Sequence, residues 1–149
     1  MRIAAVIVFF ALTVCPAAAS ASVEDLFHAF DLFGSWAADC KLPAALANPH
    51  VSITVAGPGL VFEEDDLGSD FARNRYSVLS AARTSATRLL VVVIFQPGGQ
   101  DEERQKLSFL IRNGTRRTMF NQPDGGPARV KNGIELAHGV KIPLMRKCD

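Results

Sequence analysis

A guanidinium set on an apolar strand face can receive a carboxylate or phosphate through two parallel hydrogen bonds. This chain gathers three of them, Arg112, Arg116 and Arg117, around the dipeptide Asn113-Gly114. Asn-Gly between two runs of alternating character is the strongest short signal for a two-residue hairpin. Such a turn pairs Arg112 with Thr115, Phe109 with Thr118 and Leu107 with Phe120. Arg116 then shares a face with Ile111, Phe109 and Leu107. If that face is the interior of a barrel, Arg116 stands at a mouth that could take a carboxylate or phosphate head group. Tyr76, the single tyrosine, has Arg73 and Arg75 beside it and is a second candidate for the same mouth. The competing roles are plain ones, solvated hairpin ends for the arginines and a packed cross-strand pair for the tyrosine.

Other chemistry is scarce. Glu63-Glu64-Asp65-Asp66 invites a calcium site, but the spaced ligands and internal glycine of an EF-hand loop are missing, and a solvated acidic loop is the expectation. His28, His50 and His138 show no metal-ligand spacing. No nucleophile elbow, phosphate-binding glycine loop, zinc signature or dinucleotide fingerprint occurs. Asn113-Gly114-Thr115 matches a glycosylation sequon, yet the turn already accounts for those residues. The expectation is a protein that is not an enzyme and uses no cofactor or metal.

The elements that would position these side chains follow a leader. Residues 1–21 have the form of a secretory signal peptide: Arg2, an apolar run from Ile3 to Val14, Pro16, then small residues at Ala19 and Ala21 for cleavage. The apolar run is too short to span a bilayer. A lipoprotein signal at Cys15 is the alternative, although valine before the cysteine suits it poorly. One of the 16 Lys+Arg residues, Arg2, leaves with the leader, so the remainder balances its 15 Asp+Glu with no formal net charge. Without a concentrated basic face, nucleic acid and anionic membrane are poor partners. Stable membrane insertion after cleavage is not expected, and the location is periplasmic or extracellular. Residues 22–149 suit one domain.

Two cysteines remain, Cys40 and Cys148, in a compartment where disulfides persist. Pairing them would tie the end of the chain to its beginning; two free thiols or an intermolecular bridge are the alternatives. From Ser22 to Phe33, Val23, Leu26, Phe27, Phe30 and Phe33 recur at helical spacing behind a Ser22/Asp25 capping pair, and Gly34 is the expected stop. After it the chain reads as short strands and turns. Arg75–Arg83 and Arg88–Gln96 form a long hairpin, and Leu89 to Phe95 is apolar throughout, which suggests cover on both faces and a helix lying on its outer side. One amphipathic helix and about eight short strands predict a mainly β fold, a small antiparallel meander barrel or strongly curved sheet.

A lead-in helix followed by Gly34-Ser35-Trp36 opening the first strand resembles the calycin-type barrels: lipocalins, avidins and the small bacterial inhibitors of secreted metalloproteases. It is similar also to small bacterial periplasmic proteins with a Gly-x-Trp and a cysteine early and a cysteine at the very end. The resemblance implies that Trp36 packs its indole across one barrel end. The chain departs from lipocalins in lacking their second and third motifs, and Cys40 with Cys148 matches no pairing of those families. The function implied is non-enzymatic binding of a small apolar or amphipathic ligand inside the barrel, with Trp36, Tyr76, Arg112 and Arg116 as candidate contacts. A protein-binding inhibitor of a secreted or host hydrolase, inserting the Ser22 end or a loop such as Lys41–His50 into a cleft, and an envelope protein without a pocket are the alternatives.

Overall fold

In the computed structural model, which describes residues 21–148, Ser22 caps helix α1 (Val23–Ala29). Its Oγ accepts the Asp25 N–H at 3.1 Å, and the Asp25 carboxylate accepts the Ser22 N–H at 3.1 Å, a reciprocal capping box. The leader expected over residues 1–21 lies, apart from Ala21, outside the described residues. The helix is shorter than its apolar spacing suggests. Asp31 takes a left-handed conformation (φ +51°), and the Asp31 and Leu32 N–H groups bond back to the carbonyls of His28 and Phe27. This is a Schellman ending, so Asp31 and not Gly34 stops the helix.

Eleven strands follow among the described residues: β1 (Gly34–Ala37), β2 (His50–Gly57), β3 (Leu60–Asp66), β4 (Asn74–Ser85), β5 (Arg88–Phe95), β6 (Glu103–Arg112), β7 (Thr115–Pro123), β8 (Val130–Lys131), β9 (Ile134–Glu135), β10 (Val140–Lys141) and β11 (Met145–Cys148). From β1 to β7 each strand pairs antiparallel with the next, and β11 joins β7 back to β1. The result is a closed eight-stranded antiparallel barrel, the meander expected from the sequence. Strands β8, β9 and β10 form a flap outside that ring. It hangs from the β7 edge at Phe120 and Asn121, just beyond the two residues, Thr115 and Arg116, that β11 occupies.

The seam is therefore short, and a covalent tie holds it. The Sγ atoms of Cys40 and Cys148 lie 2.06 Å apart across a sequence separation of 108 residues. They join the segment after β1 to the end of β11, a four-residue terminal strand of the kind that frays unless tied down.

Helix α1 plugs one end of the barrel. Phe27 and Leu32 are fully buried, and Trp36 is 1% exposed with its Nε1 donating to the Leu32 carbonyl at 2.8 Å. Around them pack Ile53, Val61, Val78, Leu89, Val91 and Phe109. The helix rests on β4 and β3 rather than along β5. In β5, Leu89, Val91 and Val93 point inward, while Leu90, Val92 and Ile94 stay half exposed outside. Scattered aliphatic surface of this kind needs no cover, so continuous hydrophobicity was a poor guide to where the helix sits.

Two further departures position the site. The acidic run is not a solvated loop: Glu63, Glu64, Asp65 and Asp66 are the second half of β3. In the β6–β7 hairpin, Arg112 pairs with Thr115 and Phe109 with Thr118 as the turn dictates, but Leu107 pairs with Asn121 instead of Phe120. Met119 is bulged out between the Phe109–Thr118 and Ser108–Phe120 pairs, and one extra residue reverses the facing of everything after it.

Candidate binding recess

Strand alternation divides the acidic run between two environments. Glu64 faces out, where Arg73 and Arg75 reach its carboxylate at 2.5 and 3.2 Å. The hydrogen bond from Arg73, opposed by desolvation and helped by Arg75, holds the Glu64 carboxyl below its ordinary value. Glu63 faces in and is buried, and Arg116 from β7 meets it with both terminal nitrogens, at 2.8 and 3.0 Å. The Arg116 side chain is itself 1% exposed, and its guanidinium lies 4.4 Å from the centre of the Phe109 ring. A bidentate pair stacked on an aromatic face is the arrangement in which two charges best tolerate burial. It forms a floor between the apolar plug and the other half of the lumen.

Above that floor polar groups stand among apolar ones in the lining of the lumen. Asp65 comes from β3, two residues beyond Glu63 on the same inward face. Its Oδ1 is buried with no hydrogen-bond partner. Burial pushes the Asp65 carboxyl well above the usual carboxylate range, the neighbouring Glu63 charge pushes it further, and Arg116 offsets only part. Tyr76 stands on β4 directly across from Glu63 and packs on Phe95, ring centres 5.3 Å apart. Burial, then the Asp65 and Glu63 charges, raise its hydroxyl well above the ordinary value, so it stays protonated as a hydrogen-bonding group.

The bulge brings in a third group. Asn121 Nδ2 donates to Gln105 Oε1 at 2.9 Å, Gln105 Nε2 donates to Glu103 Oε1 at 2.7 Å, and Arg129 grips both Glu103 oxygens at 2.8 Å. Asn121 Oδ1 and Arg116 Nε are buried without partners. Buried polar atoms normally find partners, so three orphans around one space mark a place where a further group belongs.

That space has two adjoining parts. The inner one, about 230 Å³, is lined by Glu63, Asp65, Tyr76, Arg116, Thr118 and Asn121 among others. The outer one, about 660 Å³, lies beneath the β8–β9 flap, and Tyr76, Asn121 and Val130 line both. Their lips are apolar: Leu46 at the inner part is 60% exposed and Leu136 at the outer part 50%.

Of the residues singled out in the sequence, Tyr76 and Arg116 come together in this recess. Arg116 is not at a mouth open to an anion, because its guanidinium is already spent on Glu63. Arg112 lies exposed at the hairpin turn, and Trp36 packs across the plugged end; neither lines the recess. Glu63, Asp65, Gln105 and Asn121 escaped sequence reasoning. The two acids had a legible signal, the alternation Val61-x-Glu63-x-Asp65 running on from an apolar strand start. Asn121 had none, because a bulge decides its facing. Among the described residues no group of three or more His, Cys, Asp or Glu is placed to hold a metal ion, and no helix is long and apolar enough to cross a membrane. Compared with protein-family models, curated proteins and solved structures, the chain gives no match.

Proposed function

We propose that this chain is a secreted, non-enzymatic binding protein, periplasmic or extracellular, that holds a small amphipathic ligand in the open half of a calycin-like barrel. The observation that carries this is the recess in which Asp65 Oδ1, Arg116 Nε and Asn121 Oδ1 are buried without partners beneath apolar lips. A wholly apolar ligand suits the lumen less well. Its apolar half is filled by the chain's own Phe27, Leu32, Trp36 and Phe109, and unpartnered polar atoms stand among the apolar residues that line the free volume. Gly34 and Trp36, at the start of the first strand with the indole closing one barrel end, support the likeness to calycins.

Native mass spectrometry of the secreted protein, purified from the compartment that holds it, tests this. Retention of a small molecule by the wild type, and its loss in Thr118→Phe, which sets a ring into the inner space, is the expected result. A bare mass for the wild type, together with no binder in a fragment screen read by shifts at Tyr76 and Asn121, would overturn it. A protein-binding role as inhibitor of a secreted or host hydrolase is the second reading. It is favoured by Leu42, Leu46 and Phe71, which are 55%, 60% and 47% exposed on neighbouring loops. A stoichiometric protein partner that Leu46→Ser releases would shift the assignment to it.

A further inference from the structure

The charges facing the recess do not balance, and the imbalance says what kind of head group it takes. Arg116 is committed to both oxygens of Glu63. Arg129 is committed to both oxygens of Glu103, and Arg73 and Arg75 turn outward to Glu64. Glu135, at the flap, is taken up by His138 and by the backbone amides of Ala137 and His138. Asp65 is the carboxyl left facing the recess with no cation of its own. Among the buried atoms of the lining residues the unmet needs lean the same way: Asp65 Oδ1 and Asn121 Oδ1 are acceptors without donors, set against one donor, Arg116 Nε, while the other unpartnered buried donor, Arg117 Nε, lines neither part. Among the described residues the Tyr76 hydroxyl, which lines both parts of the space, makes no side-chain hydrogen bond and can accept one more.

A group that brings several N–H donors and a positive charge would satisfy this lining and favour the ionised form of Asp65, whereas a carboxylate or phosphate would bring a like charge up to that carboxyl. We propose, resting on the ligand-binding reading above, that the recess takes the cationic nitrogen head of an amphipathic amine. The head sits among Asp65, Tyr76 and Asn121, and the apolar body lies outward against Leu46 or Leu136. The Glu63–Arg116 pair is a positioning element in this scheme, holding the floor rigid and keeping its own charges out of the exchange.

Calorimetric titration of the secreted protein with three probes of one shape separates the possibilities: phenethylamine, 2-phenylethanol and 3-phenylpropionate. The amine is expected to bind about tenfold or more tighter than the alcohol, one ion-pair's worth of discrimination, and the acid not measurably. Asp65→Asn is expected to bring amine and alcohol to within about twofold of each other. Tyr76→Phe should weaken the amine severalfold while leaving the fold unchanged by circular dichroism. Binding of the alcohol or the acid as tight as that of the amine, or an amine preference that survives Asp65→Asn, overturns the head-group assignment and leaves the recess a binding site. Failure of all three probes, with no shift of the Tyr76 or Asn121 resonances, overturns the binding reading itself.

Discussion

At one end of the lumen Phe27, Leu32 and Trp36 are buried to 1% exposure or less, and the one polar atom they bring, the indole nitrogen, finds the Leu32 carbonyl at 2.8 Å. At the other end Asp65, Asn121 and Arg116 each keep a buried polar atom unpartnered, around about 230 Å³ of free space. The same strands supply both ends: β3 contributes Val61 to the first and Asp65 to the second, and β6 contributes Phe109 and Gln105. A single barrel thus carries a stability-dominated half and a half that gives up stability to keep polar groups free. The second pattern is the one expected where binding and not folding has set the side chains.

The sharpest way to break the contrast is at the plug. Trp36→Ala removes a buried aromatic and orphans the Leu32 carbonyl, so a loss toward the upper end of about 3–5 kcal/mol is expected in urea denaturation. Probe binding at the recess should be unchanged in whatever fraction remains folded. At the floor, Arg116→Met leaves the Glu63 carboxylate buried and alone, for an expected loss of about 3–5 kcal/mol. Adding Glu63→Met should recover most of it, since an apolar pair of similar volume replaces the ion pair. A double variant as unstable as the single one would mean that the floor is held by something other than this pair.

The smallest effect has the opposite sign. Because the folded carboxyl of Asp65 titrates above its ordinary value of 3.8, the folded state holds a proton that the unfolded state has already released. Stability associated with this group is therefore complete below that ordinary value and falls as pH rises toward the folded one. Asp65→Asn removes the penalty, so the variant should be more stable than wild type at neutral pH by about 1 kcal/mol or more, the cost of a buried polar group poorly served. The gap should close as the pH is lowered toward 4, with denaturation midpoints at several pH values as the readout. A constant gap across that range would mean that Asp65 is not the group that titrates.

Much of the scaffold was legible. The Ser22 cap, the Asn113-Gly114 hairpin and its first register pairs, and the Cys40–Cys148 tie were all read from residue types and spacing. The ends of elements were less so, as Asp31 shows: a non-glycine residue in a left-handed conformation stops the helix, a geometry that glycine normally signals. The site was half visible. Arg116 was placed on the correct face, but its partner sat in a run of four acids read as solvated, because like charges in sequence say nothing about which of them a strand turns inward.

What the sequence by itself determined was local and periodic: a capped amphipathic helix, short strands of period two, turns at Asn-Gly, and a mainly β fold, barrel or strongly curved sheet. Tertiary structure alone decided that Glu63 is neutralised by a residue 53 positions away, that Asp65 is not neutralised, and that a bulge at Met119 turns Asn121 inward to meet Gln105. The physical reason is that period-two patterns give a residue's face only relative to its neighbours. Barrel closure and a one-residue bulge set which face is the inside, and the worth of a charge depends on what closure brings within 3 Å of it.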